Sequence, residues 1–164
     1  MSARRRILDV QIPCRCSGRL EFIMTRSEAR EQAFILVFEK SFNQSDTLDN
    51  IIANAQAGRD FVVDKFSYAL AQQAYDHLEQ VDGVIEKYST KWKLDRIVKV
   101  SLAILRMSIS EMLYLEDIPV SVSINEAVEL AKKYATEDDA SFVNGVLGAV
   151  AKDLEQMKEE KVEQ

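Results

Sequence analysis

The stretch that decides the fold is LDRIVKVSLAILRMSISEMLYL, residues 94–115. On a helix, its apolar side chains would occupy most of the circumference, and such a helix packs in the middle of a bundle. A narrow polar stripe remains at Asp95, Lys99 and Arg106, and the first two have the i,i+4 spacing of a weak helical ion pair. Ile118-Pro119 should end this helix, because proline holds the preceding residue in an extended conformation.

The sequence on both sides of this stretch also has helical spacing. Start signals are Ser or Thr residues followed three positions later by an acidic residue, the pattern of an N-terminal capping box. Strand signals are nearly absent, since the β-favouring run Val120–Ser123 is too short. The first predicted helix begins at Thr25 (with Glu28) and ends near residues 41–43, the second begins at Ser45 and ends near Gly58, and the third begins near Asp60 and is interrupted at Gly83. After the central helix, one helix begins at Ser123 (with Glu126) and ends near Tyr134. The last follows the start signal at Thr136 and Asp139 and runs from about Asp138 to Glu159. The sequence therefore predicts an all-α protein, a compact bundle of about seven helices spanning residues 24–160.

The first 23 residues differ in composition from the rest. They contain five Arg and two acidic residues, a net charge of +3, which leaves −9 for the remainder of a chain whose total is −6. We predict a disordered extension or a misassigned start, with Met24 as the physiological initiator. Both cysteines, Cys14 and Cys16, lie in this segment, so neither a disulfide framework nor a four-ligand zinc site can be built. With no apolar stretch of roughly 18 residues, we expect a cytoplasmic protein.

Residues that could carry catalysis are scarce. His77 is the only histidine, which rules out multi-histidine metal sites, and we assign it a surface or packing role. The sequence has no Gly-rich phosphate loop and no Gly-x-Ser-x-Gly motif. We therefore predict a protein that is not an enzyme, with no catalytic residues, no cofactor and no metal.

Residues that could bind RNA are better represented. Arg26 and Arg30 lie one helical turn apart, a spacing that can present two guanidinium groups to one run of phosphates, although solvated arginines on a helix face are the simpler alternative. Phe142 can stack on an unpaired base or belong to the core, and Asn144 can read a base edge or bond to backbone. Gly145 and Gly148 each cost a helix about 1 kcal/mol relative to alanine. Close approach of another helix or of a ligand would explain them.

A series of short motifs runs along the chain from about Met24 to Leu154. In order, they are Arg30-Glu31-x-Ala33, Trp92-x-Leu94-Asp95-Arg96-Ile97, Ile104-Leu105-Arg106, Glu111-Met112, Ile118-Pro119, Ile124-Asn125-Glu126-Ala127-Val128-Glu129-Leu130-Ala131-Lys132 and Phe142-Val143-Asn144-Gly145-Val146-Leu147. In this order and spacing they resemble the NusB transcription antitermination family.

The resemblance implies a non-enzymatic RNA-binding factor. NusB proteins pair with the ribosomal small-subunit protein also called NusE, and the pair binds the single-stranded boxA element of nascent ribosomal RNA transcripts. With other Nus factors, this complex helps RNA polymerase resist termination. By position, the resemblance implies RNA contacts for Arg26 and Arg30 in the first helix and for Phe142 as the stacking aromatic. It also implies that Phe38 and Asp138 lie at the RNA.

The chain departs from the family pattern at Ser27 and Glu28, where some members have further arginines. We therefore expect weak RNA binding by the protein alone, because fewer phosphate contacts lower affinity. The resemblance places the partner surface within residues 95–130 and leaves open a monomer or a homodimer. Two other functional classes compete with an RNA-binding antitermination factor. One is a helical protein-interaction module without RNA contact. The other is an RNA cytosine methyltransferase, in which NusB-like domains also occur, but 164 residues leave no room for a domain that binds the methyl donor.

Overall fold

The computed structural model describes residues 24–58, 62–90 and 92–162, with side chains to residue 155. The predicted extension at residues 1–23 lies outside the described residues. Within the described ranges the protein is all-α, and none of the helices is both long and apolar enough to cross a membrane. A 3-10 helix, Leu94–Arg96, precedes the fifth of seven α-helices: α1 Arg26–Phe42, α2 Leu48–Gly58, α3 Lys65–Asp76, α4 Leu78–Tyr88, α5 Lys99–Tyr114, α6 Val120–Tyr134 and α7 Glu137–Val162. The prediction of a bundle of about seven helices is confirmed.

Helix α5 lies at the centre of the bundle. It contacts α1, α3, α4, α6 and α7, and every residue from 101 to 112 is buried except Arg106. Arg106 directs its guanidinium at α4, where Nε and Nη2 donate to the carboxylate of Asp82 at 2.7 and 2.8 Å. The nearly all-apolar surface of α5 predicts this central position, because only there does each side of the helix have a neighbouring helix to pack against.

The start of the central helix differs from the prediction. Residues 94–96 form the separate 3-10 turn, Ile97 and Val98 are extended, and α5 begins only at Lys99. The predicted ion pair between Asp95 and Lys99 is therefore wrong, because the two residues do not share an α-helix. The extended segment leaves Val98 54% exposed.

The capping boxes at the two ends of the domain are confirmed. The Thr25 hydroxyl accepts from the Glu28 N–H while the Glu28 side chain accepts from the Thr25 N–H, and Thr136 and Asp139 make the same reciprocal pair at α7. The box predicted at Ser123 is wrong. Helix α6 already begins at Val120, with Pro119 as the preceding N-cap residue and no side-chain capping hydrogen bond, and Ser123 is buried inside the helix.

The helix boundaries between α1 and α5 also differ from the prediction. At the start of α2 the hydroxyl of Thr47, rather than that of Ser45, accepts a hydrogen bond from the Asn50 N–H. Helix α3 begins after Asp64, whose carboxylate accepts from two backbone N–H groups, and not near residue 60, itself outside the described ranges. The break falls at His77 instead of Gly83. The His77 ring stacks on Tyr114 with centroids 4.0 Å apart, which is the packing role assigned to it.

Among the described residues, nothing approaches the two glycines of α7 closely. A Cβ atom added at Gly145 or Gly148 would meet nothing within 4 Å, so the predicted packing against a neighbouring helix is wrong. We expect Gly145→Ala to raise the free energy of unfolding by about 0.5 to 1 kcal/mol, because alanine has the higher helix propensity. Urea unfolding followed by circular dichroism measures this change. A lower stability of Gly145→Ala would show that the added methyl group meets atoms that the structure does not place there. Gly83→Ala is the matched control, because a Cβ atom at Gly83 also meets nothing within 4 Å.

Candidate nucleic-acid interface

Arg26 is the first residue of α1 and is exposed. Its guanidinium carbon lies 4.3 Å from the centroid of the Phe66 ring on α3, within the distance of a cation–π contact. The ring steadies one face of the guanidinium and leaves its N–H groups directed at solvent. Arg26 forms no ion pair with a described carboxylate, so within this part of the chain it can donate to a phosphate without first breaking one.

Arg30 lies one turn further along α1 but is buried. Its side chain is 5% exposed, and its Nε donates to Glu111 Oε1 of α5 at 2.7 Å, where the Glu111 side chain is 1% exposed. The structure thus does not bring Arg26 and Arg30 together as two guanidinium groups offered to solvent. An RNA contact by Arg30 stays a prediction that would require this ion pair to open.

The far end of α1 carries a row of aromatic rings. Phe38 is half-buried, with its ring centroid 6.0 Å from that of Phe34 and 5.0 Å from that of Phe42, and the Phe34 ring lies 5.0 Å from that of Tyr134. Phe42 is 61% exposed, and Lys99 Nζ lies 6.0 Å from its ring centroid. Phe42 lies roughly 24 Å from Arg26 along the helix axis, so an RNA that contacts both ends of α1 must span about this distance.

Hydrogen bonds between α1 and α6 hold this aromatic row in place. The Glu31 carboxylate accepts from Lys133 Nζ and from the Tyr134 hydroxyl. Partial burial raises the pKa of Glu31, but these two hydrogen bonds outweigh it and the pKa lies below its ordinary value. Glu31 therefore stays ionised at neutral pH and keeps Tyr134 against Phe34.

A groove of about 280 Å³ lies beside this aromatic end, where α5 and α7 begin. We call it the Trp92–Phe142 groove. Asp139, in the capping box of α7, accepts from the Ser101 hydroxyl at 3.3 Å and so joins the two helix starts. The residues that line the groove come from the loop before the 3-10 helix, from the end of that helix, from the segment between it and α5, from the first turn of α5 and from the first two turns of α7: Trp92, Arg96, Ile97, Val98, Ser101, Asp138, Asp139 and Phe142.

Phe142 takes both of the positions that the sequence left open. It is half-buried and packs against the hydrophobic core, and the rest of its ring lines the groove. Asp138 is exposed at the same groove. The structure therefore brings these two predicted site residues together.

Asn144 lies on another side of α7. It lines a separate cavity of about 340 Å³ between α6 and α7, together with Asn125, Lys132 and Ser141. Residues two positions apart on a helix point in nearly opposite directions, so Phe142 and Asn144 do not face one ligand. A contact of Asn144 with RNA stays a prediction on a second surface.

The comparisons with known proteins agree with these motifs and this fold. A family model described as the NusB family matches residues 27–152. This chain belongs to the NusB family. The transcription antitermination protein NusB of Natranaerobius thermophilus is 43% identical over 136 residues, which cover 80% of this chain and 97% of the relative. The protein of the same name from Acetivibrio thermocellus is 44% identical over 131 residues, covering 79% of this chain and 90% of the relative.

Solved NusB structures share the fold. The chain matches a crystal form of T. maritima NusB with a TM-score of 0.69 at 32% identity, over 79% of this chain and 92% of the other. It also matches a chain in the crystal structure of the antitermination factors NusB and NusE in complex with dsRNA. That match has a TM-score of 0.67 at 28% identity, over 79% of this chain and 99% of the other.

Sequence reasoning missed two features of this NusB surface. The sequence motifs give Trp92 no role of its own, yet it is 54% exposed at the groove. A lone aromatic residue outside any helical stripe is the sequence signal that could have indicated a surface role. Glu111 was missed as the partner of Arg30 because the two residues are 81 positions apart. An acidic residue inside an otherwise apolar central helix is the signal that could have found it, since a buried charge needs a partner.

Proposed function

We propose that this NusB family member is a non-enzymatic transcription antitermination factor. With the ribosomal protein NusE it would bind single-stranded, boxA-like RNA in nascent ribosomal RNA transcripts. With other Nus factors it would help RNA polymerase to resist termination. The relative solved with NusE and dsRNA supports both partners for a protein of this fold.

The observation that carries the proposal is the surface where α1 ends and α5 and α7 begin. Exposed aromatic side chains and exposed cations occur there together: Phe42, Trp92, Arg96 and Lys99. Aromatic faces stack on unpaired bases, and cations meet the phosphates between them. On a chain with net charge of −6, such a local patch is the surface on which an RNA strand would bind.

The burial of Arg30 supports weak RNA binding by the protein alone. With Arg30 paired to Glu111, Arg26 is the exposed cation among the predicted site residues, and the structure adds the exposed Arg96 and Lys99 beside the groove. About three phosphate contacts would give a slope of log K against log salt of about −2 for a single strand. NusE would supply the remaining contacts.

The partner surface is expected within residues 95–130, and the structure narrows where NusE could dock. Helix α5 is almost wholly buried in this range. The exposed residues of this range lie before α5, between α5 and α6, and on the outer side of α6, which presents Ser121, Val122, Asn125 and Glu129. We propose the outer side of α6 as the docking surface, since it is the longest exposed helical face in the range.

A gel shift with boxA RNA tests the proposal. We expect a weak, salt-sensitive shift with the isolated protein and a much tighter one when NusE is added. Arg26→Ala should weaken both by several-fold, because one phosphate contact is lost, and should reduce the salt slope by about 0.7. Light scattering on the same samples gives the oligomeric state.

Lys152→Ala is the matched control, since Lys152 is an exposed cation on α7 away from the groove and α1. It should leave the shift unchanged. If neither protein nor complex shifts the RNA, the protein is a helical interaction module without RNA contact. Tight, salt-insensitive binding by the isolated protein would contradict the expected division of contacts with NusE.

A further inference from the structure

We propose that the Trp92–Phe142 groove holds one unpaired nucleobase that carries an exocyclic amino group. The base would stack on the Trp92 indole and donate its amino group to Asp138, while Arg96 and Lys99 meet the flanking phosphates. This inference rests on the proposed RNA binding. It goes beyond it by assigning Trp92 as the base platform and by naming the class of base.

The position of Trp92 carries the first step. An indole that is 54% exposed loses much of the stabilisation that its burial would give, and the sequence has no other tryptophan. The loop holds it firmly, because the Ser89 hydroxyl donates to the Trp92 carbonyl at 2.8 Å and the Trp92 N–H donates to the Ser89 carbonyl at 2.7 Å. Among the described residues, neither Trp92 nor Phe142 stacks on another aromatic ring. No described aromatic ring therefore competes with a ligand for the exposed part of the Trp92 indole or for the part of Phe142 that lines the groove.

The size and shape of the groove carry the second step. Its volume of about 280 Å³ is at the lower end for small-molecule sites, which suits one flat ring and not a larger ligand. Ile97, Val98 and the Phe142 ring make the inner walls apolar. An unstacked base is a flat, largely apolar group that requires such walls and leaves its polar edge at the rim.

The charges at the rim carry the third step. Asp139 is occupied by Thr136 and Ser101, whereas Asp138 is exposed and has no hydrogen bond to another described residue. A carboxylate accepts from an amino group such as cytosine N4, and uracil has no exocyclic amino group to offer. Arg96 and Lys99, which form no ion pair with a described carboxylate, would bind phosphate oxygens on either side.

The single tryptophan provides the test. We would titrate the full chain with end-labelled oligocytidine and oligouridine of equal length, following tryptophan fluorescence and the anisotropy of the RNA label in the same cuvette. The inference predicts that oligocytidine quenches Trp92 in step with binding. It also predicts that oligocytidine binds at least about fivefold more tightly than oligouridine, the lower end expected for one good base contact.

Variants separate the contributions. Trp92→Ala should raise the dissociation constant for oligocytidine by about 5- to 100-fold, from the loss of one stacked base, and Trp92→Phe should restore most of the affinity. Asp138→Asn should bring the two oligonucleotides within about twofold of each other, because an amide can pair with either base. Val62→Ala, an exposed apolar residue before α3, should change nothing.

Two results overturn the inference and leave the proposed function standing. One is RNA binding by anisotropy with unchanged Trp92 fluorescence, and the other is equal affinity for the two oligonucleotides in the wild-type protein. Failure of every RNA to bind, with and without NusE, would overturn the proposed function as well.

Discussion

Replacement of Glu111 by alanine is expected to lower the free energy of unfolding by about 3 to 5 kcal/mol. Glu111 is 1% exposed in the middle of α5 and accepts the Nε proton of Arg30, itself only 5% exposed. Removing one partner of a buried ion pair leaves the other charge without compensation in an apolar interior, and that desolvation cost dominates the effect. Chemical denaturation of the purified protein, with a midpoint and a slope for each variant, measures it.

Two comparisons isolate the buried charge as the cause. The double variant Arg30→Met with Glu111→Leu removes both charges and keeps the volume, so it should recover most of the stability. Glu129→Ala breaks the exposed pair with Lys132 and should have little effect, because surface ion pairs contribute little. A loss below about 1 kcal/mol for Glu111→Ala would mean that Arg30 can turn to solvent, which would return it to the RNA surface.

This prediction changes how an Arg30 variant should be interpreted. An Arg30→Ala protein that no longer binds RNA could have lost a phosphate contact or could have lost its fold. Arg26 has less of this ambiguity, because it is exposed, lies over the Phe66 ring and forms no ion pair with a described carboxylate. RNA affinity should therefore be compared between variants only after their unfolding midpoints have been measured.

Local chemistry explains what the sequence could predict. The apolar surface of residues 101–112 required a central helix, and the reciprocal Thr25–Glu28 and Thr136–Asp139 pairs marked two helix starts, because each depends on residues within one turn. The partner of Arg30 could not be found this way, since Glu111 is 81 positions away. The stacking of His77 on Tyr114 likewise joins residues of distant sequence position, because the Tyr114 ring belongs to another helix.

The candidate site follows the same division. The motifs placed Asp138 and Phe142 at the start of the last helix, and the structure shows both at one groove. Asn144 is close to Phe142 in sequence, but residues two positions apart on a helix point to different faces. Asn144 therefore lies at the other cavity, between α6 and α7. Trp92 reaches the groove from a loop and Arg96 from the single turn of 3-10 helix, and neither segment is long enough for periodicity to indicate the direction of a side chain.

Phe142→Ala is expected to lower the affinity of the NusE complex for boxA RNA by about 5- to 150-fold, the loss of one stacked base. The same change should also cost stability, because part of the ring packs against the core. Phe142→Leu separates the two effects: leucine retains much of the apolar volume but has no aromatic face. If Phe142 acts through stacking, the leucine variant should fold nearly as stably as the wild type and bind RNA as poorly as the alanine variant. If it retains wild-type affinity, Phe142 serves only the core, and the RNA-binding surface must be sought at Trp92 and the end of α1.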